Sequence, residues 1–128
     1  MRLLLDTAVF LWWVTASAAV PETVRKAVSS PANEVWVSAV SSWEIVVKHR
    51  LGRLPLPEAP ETLVPRERQR HAFGSLPLDE RSTLHLPRLP PVHKDPFDRM
   101  LVCQAIEHGL TLVTPDQAVR QYPIRALW

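Results

Sequence analysis

Three consecutive leucines closed by an acid, Leu3-Leu4-Leu5-Asp6-Thr7, restrict this chain more than any other stretch. A run that is apolar at every position, without alternation, suits a short strand covered on both faces, as in a parallel sheet between helices. Asp6 ends the run, and Ala8 to Trp13 start the next helix. Taken alone, Asp6 reads as an N-cap whose side chain accepts a helix amide. The stretch therefore predicts a strand-to-helix junction that delivers one carboxylate to a sheet edge.

The same grammar recurs downstream. Pro21 to Val28 carries apolar residues at helical spacing, and Glu34 to Ser38 is a strand by its β-branched and aromatic content. Ser41 and Glu44 stand at the three-residue offset of a capping box, so a helix start is expected there, running through Lys48, His49 and Arg50 to a stop at Gly52. A weaker helix interrupted by Pro65 is expected over Glu61 to Phe73, a short strand over Leu76 to Leu78, and a helix from Asp79 that Pro87 ends. Arg66, Arg68 and Arg70 read as a solvated basic face, with phosphate contact as the alternative.

Asp95 and Pro96 make an N-cap followed by proline at the first helical position; Asp98 falls third, and Gly109 terminates the helix. Cys103 is a small core residue of that helix, and His93 reads as a solvated histidine beside the cap, with a ligand role as the alternative. Leu110 to Val113 is a strand, Thr114-Pro115-Asp116-Gln117 repeats the helix-start pattern with Thr114 as cap, and Ile124 to Trp128 closes the sheet. The adjacent Trp12 and Trp13 read as a bulky pair at the core edge, with one inside and the other at a groove or partner surface as the alternative. Alternating strands and helices predict an α/β fold: a three-layer α/β/α sandwich with a central, mainly parallel sheet of about five strands.

Length makes 1–128 a single domain, and 46% hydrophobic with 22% charged residues makes it globular rather than disordered. A net charge of +2 is too small to grip duplex DNA by charge alone, so any nucleic-acid contact must be local or partner-assisted. One cysteine forms no internal disulfide, and no apolar run reaches spanning length, so the expected compartment is the cytoplasm with no membrane contact.

Asp6, Glu44 and Asp116 each follow a predicted strand. In a parallel sheet with right-handed crossovers those positions lie along one carboxyl edge, which Asp98 reaches from its own helix start. Two unit charges about 4 Å apart repel by roughly 4 kcal/mol at an effective dielectric near 20. Gathered carboxylates therefore protonate or hold a cation. Oxygen ligands without a cysteine or histidine pair favour Mg²⁺ or Mn²⁺ over zinc, and such a site supports phosphodiester hydrolysis.

Four blocks carry a resemblance: Leu3 to Thr7, Ser38 to Ile45, His93 to Leu101 and Leu112 to Asp116. Together, in this order and over essentially the whole chain, they resemble PIN-domain ribonucleases of the VapC toxin type. The resemblance implies a parallel sheet between helices and metal-dependent cleavage of RNA, held in check by a cognate VapB-like antitoxin whose C-terminal segment enters the acidic groove. It also implies a homodimer. On the matching positions Asp6, Glu44, Asp98 and Asp116 look like the acidic quartet that holds Mg²⁺ or Mn²⁺, and Thr114 falls close to the metal shell. Thr7, Thr114, Asp95 and Arg99 are the further candidates for substrate contact, with Asp95 read mainly as the cap. Many relatives carry histidine where this chain has Ala8, and alanine where it has Cys103.

Rival readings lack their residues. A receiver-like regulatory module wants a phosphoacceptor aspartate at mid-chain and a lysine after a late strand. A haloacid-dehalogenase-type phosphatase wants a second aspartate where Ala8 stands. A non-catalytic Mg-binding or RNA-binding module on a PIN-like fold is the remaining alternative, although all four acids are present.

Overall fold

The computed structural model describes residues 1–128. Five strands, β1 (Arg2–Leu5), β2 (Glu34–Ser38), β3 (Gly74–Leu76), β4 (Thr111–Val113) and β5 (Ala126–Leu127), form one sheet in the order β3-β2-β1-β4-β5. Every pairing is parallel. Six helices surround it: α1 (Thr7–Val14), α2 (Glu22–Ser29), α3 (Ala39–Arg50), α4 (Pro60–Arg70), α5 (Glu80–Thr83) and α6 (Pro96–His108). None is long and apolar enough to cross a membrane.

The leucine run explains the layering. Side chains alternate along a strand, so Leu3 and Leu5 face one core and Leu4 the other, and all three are fully buried. On the first face Val35, Val37 and Val113 join them under Val9 and Phe10 of α1, Val24 of α2 and Leu63 of α4. On the second, Leu112 and Leu76 meet Leu101, Val102, Cys103 and Ala105 of α6. Full burial of each leucine stabilises the fold by about 1.5–3 kcal/mol.

Several boundaries depart from the sequence reading. Helix α3 starts at Ala39, not near Ser42, because Ser38 is the cap: its hydroxyl accepts the Val40 amide at 2.9 Å. Ser41 and Glu44 are thereby inside the helix and buried, free to serve tertiary contacts rather than a capping box. Pro65 sits within α4 without interrupting it. Strand β3 lies two residues earlier than expected: Trp36, Val37 and Ser38 pair with Gly74, Ser75 and Leu76, while Pro77, lacking an amide hydrogen, falls outside the ladder. The helix expected from Asp79 breaks into the single turn of α5 and a 3-10 turn over Leu86–Arg88. After β4 no α-helix forms. Asp116, not Thr114, caps a short turn that leads to a 3-10 segment at Val119–Gln121.

Helix α6 follows its sequence signals closely. The Asp95 carboxylate accepts the Phe97 amide at 2.8 Å and the Asp98 amide at 3.2 Å, and Gly109 ends the helix at φ 64°. That left-handed conformation is costly for residues with a Cβ. Both Trp12 and Trp13 are partly buried, against Trp128 and against Phe73 with His71 respectively.

Candidate active site

From β1 the chain moves outward through β2 to β3, then returns to the other side of β1 as β4. Connections leaving β1 and β4 therefore diverge, and such a switch point opens a crevice at the carboxyl ends of the two strands. Asp6 follows β1 and its amide donates to the Val113 carbonyl at 3.0 Å, tying it to the end of β4. Thr114 and Asp116 follow β4 directly. The crevice is bordered by the starts of α3 and α6, which bring Glu44 and Asp98.

Asp6 does cap α1, its Oδ1 accepting the Val9 amide at 2.8 Å. Thr7 is buried beside it. The Thr7 hydroxyl donates to Glu44 Oε1 at 2.6 Å, with Ser41 Oγ 2.9 Å away. Lys48, one turn further along α3, makes an ion pair with Glu44 Oε2. Both oxygens of this buried acid are therefore partnered, one by a hydroxyl and one by an ammonium group, whose own pKa that contact raises. Thr114 is fully buried and accepts the Asp116 amide at 3.1 Å. Asp116 accepts the Ala118 amide at 2.9 Å through Oδ1.

Electrostatics show that these carboxylates share one environment. Burial raises the pKa of Asp6; the Thr114 hydroxyl and Val9 amide oppose the shift, while the charges of Glu44 and Asp116 reinforce it. Asp98 is pushed up to about 7, first by burial and then by the charges of Asp95, Glu44 and Asp6. An acid so placed is held near neutrality by its neighbours unless positive charge arrives. The charges of Asp6, Glu44, Asp98 and Asp116 thus act on one another, with that of Asp95 bearing on Asp98.

His93 is not simply solvated: its Nε2 lies 3.1 Å from Asp98 Oδ2 and 3.2 Å from Asp116 Oδ2. Ligand-type atoms of His93, Asp98 and Asp116 all fall within 4.8 Å of one another. A lone histidine before a cap carries no local signal for this, because the acid it meets at Asp116 comes from a different element. Arg99, by contrast, makes no ion pair with the acids; its Nε is buried without a partner, and its charge acts on the buried Cys103 thiol.

Beside the acids a cavity of about 600 Å³ runs between α1, α3 and α4, with Leu11, Trp12, Leu56 and Leu63 on its walls and Glu44 and Lys48 at one side. Arg66 also lines it. The basic cluster to which Arg66 belongs is arranged around the buried Glu67, with Arg66 Nη2 at 3.5 Å, Arg70 at 3.6 Å and His71 at 3.7 Å.

Comparison with known proteins agrees with this architecture. The family model for the PIN domain matches residues 3–124. Ribonuclease VapC22 of Mycobacterium tuberculosis is 32% identical over 124 residues, 93% of this chain and 90% of VapC22. Ribonuclease VapC16 of the same organism is 40% identical over 70 residues, 55% of this chain, and the chain spans about half (49%) of VapC16. Among solved structures, VapBC2 from Rickettsia felis bound to a promoter DNA fragment superposes with a TM-score of 0.73 at 14% identity, covering 100% of this chain and 99% of that one. DNA-bound VapBC from Salmonella typhimurium gives 0.70 at 18% identity, covering 99% and 97%. Identities this low speak for the fold alone. The family match across nearly the entire chain, together with the full-length alignment to VapC22, makes this protein a member of the PIN-domain family, in its VapC branch.

Proposed function

We propose that this protein is a metal-dependent endoribonuclease toxin of a toxin-antitoxin pair, acting in the cytoplasm on RNA through Asp6, Glu44, Asp98 and Asp116. The observation that carries the reading is the gathering of these acids at the switch point of the sheet, with Asp98 pushed up to about 7 by burial and like charge. The donor set suits a hard divalent ion, Mg²⁺ or Mn²⁺: carboxylate oxygens predominate, and the cost of crowding them falls once an ion is shared. Asp6, Asp98 and Asp116 would hold the ion. Glu44 would stand at its edge, paired with Lys48 and aligned by Thr7. When bound, the ion supplies a water of lowered pKa and offsets charge on the scissile phosphate.

The chain's own groups do the positioning. Thr7 and Thr114 hold Glu44 and Asp6 through hydroxyl contacts. Lys48 and Arg66 line the neighbouring cavity, paired with Glu44 and Glu58, and with the rest of the Arg66 to Arg70 cluster and Arg99 they are the candidates for contact with an RNA backbone.

The C-terminal segment of a VapB-like antitoxin would enter the acidic groove, and the adjoining cavity, apolar on its walls and lined also by Lys48 and Arg66, offers it further contact. That the similar solved structures are VapBC complexes supports this partner. A homodimer is supported by the exposed apolar residues of α3, where Trp43 is 54% and Val46 45% exposed. A sedimentation mass of one chain would remove the dimer.

The central test uses Asp6→Asn and Asp98→Asn. Both variants are expected to fold and to lose RNA cleavage by at least about a hundredfold, as removal of charge from a metal site costs several kcal/mol of transition-state stabilisation. Undiminished cleavage by both would discard the mechanism. Retained RNA binding with no cleavage at any Mg²⁺ or Mn²⁺ concentration in the unaltered protein would leave a binding module instead.

A further inference from the structure

His93 is held from two sides. Its main-chain amide donates to the Tyr122 hydroxyl at 3.1 Å, and that hydroxyl lies 3.4 Å from the His93 carbonyl oxygen. Tyr122 is buried, so the histidine backbone is moored to the core beyond β4. The ring is fixed as well. The Asp95 amide donates to His93 Nδ1 at 3.2 Å, which requires a lone pair on Nδ1 and puts the ring hydrogen on Nε2.

Nε2 faces Asp98 Oδ2 at 3.1 Å and Asp116 Oδ2 at 3.2 Å. These acids come from different elements, the start of α6 and the turn after β4, and no other side chain bonds to both. A histidine that ligates a metal through one nitrogen ordinarily donates its other N–H to a carboxylate or carbonyl. Here the other nitrogen meets a donor, the reverse arrangement.

We propose that His93 is a positioning residue of the acidic site and not a metal ligand: its Nε2–H, oriented by the Asp95 amide, bridges Asp98 and Asp116 and sets their separation. The inference builds on the reading of this hollow as a divalent-ion site. Each carboxylate oxygen has two lone pairs, so a shared donor leaves acceptor capacity on both acids. Without the bridge no side chain ties the start of α6 to the turn after β4 at this point, and the ion meets a looser set of ligands.

The experiment has a metal-free and a metal-loaded arm. In the metal-free protein, long-range ¹H–¹⁵N correlations of the His93 ring, assigned by their loss in His93→Gln, are expected to show a protonated Nε2 and a bare Nδ1. The opposite tautomer, or a ring protonated on both nitrogens, overturns the proposal. In the second arm Mn²⁺ binding is followed by electron paramagnetic resonance. His93→Ala is expected to weaken it about tenfold, the lower end of what loss of a supporting group costs. His93→Gln, whose amide N–H reaches the same place, is expected to stay within about threefold of the unaltered protein. The unaltered protein should show no coupling from a directly bound imidazole nitrogen. Such a coupling, absent in His93→Gln, would make His93 a ligand, and unchanged affinity in His93→Ala would make it idle; either overturns the bridge. Failure of the unaltered protein to bind Mn²⁺ at all would overturn the ion-site reading and with it the bridge's proposed purpose, while the ring correlations would still report the tautomer.

Discussion

Asp98 is a carboxyl kept uncomfortable by its surroundings. Burial and the charges of Asp95, Glu44 and Asp6 raise it from 3.8 to about 7, so the folded protein without metal binds a proton there that the unfolded chain has released. Its contribution to stability is whole below about pH 4 and is lost as the pH rises through about 7. Asp98→Asn is therefore expected to stabilise the metal-free protein at pH 8, by on the order of 1–2 kcal/mol after discounting for partial solvent access, and to leave it unchanged at pH 4. Urea titrations of both proteins across that range check this, and equal stability at pH 8 would refute it. Such a variant, more stable but without activity, is what is expected where charges are assembled for chemistry at a cost to the fold.

At the scale of elements, the β2–β3 pair has a tight spot. Gly74 pairs with Trp36, and a Cβ at position 74 would lie 2.5 Å from the indole Cε3. The indole belongs to a side chain packed against the second core, so it cannot simply swing away. Gly74→Ala is expected to cost about 1–3 kcal/mol, read as a fall in the thermal midpoint. An unchanged midpoint would mean that β3 shifts freely.

Elements whose ends are set by local chemistry were legible before the structure: α6 between Asp95-Pro96 and Gly109, β2, and the β1 leucine run. Those set by tertiary pairing were not. The Ser41–Glu44 spacing imitates a capping box, but Glu44 is required by Thr7 and Lys48, and Ser38 caps instead. The Thr114-Pro115 pattern suggests a helix, but the Thr114 hydroxyl takes the Asp116 amide and the Asp116 carboxylate takes the Ala118 amide, so the segment between β4 and β5 is built of turns and one 3-10 segment. The positions of Asp6, Asp98 and Asp116 were legible because each follows a strand or opens a helix, whereas Glu44 lies inside α3 and was placed by a capping box that does not form. His93 was not legible, since its meaning depends on a contact with Asp116.

For the molecule as a whole, the site is a meeting of segments rather than a local motif. An ion that binds only the folded state stabilises it by about 2.7 kcal/mol at a hundred times its dissociation constant. Saturating Mn²⁺ is accordingly expected to raise the thermal midpoint of the unaltered protein by several degrees and that of Asp6→Asn by much less. Equal shifts in the two proteins would place the ion elsewhere.

The pairing of β1 with both β2 and β4 also sets an order in time. Asp6 is made early, yet its neighbours across the hollow, Asp98 and Asp116, are translated only after α4 and β3, and the Val113 carbonyl that receives the Asp6 amide comes with them. A chain arrested before β4 therefore lacks both Asp116 and the Val113 carbonyl, and the hollow to which the proposed function assigns the chemistry is complete only once the far end of the chain has emerged. Arrested nascent chains ending before residue 110 are expected to cleave no RNA, and cleavage by them would show that the early acids suffice.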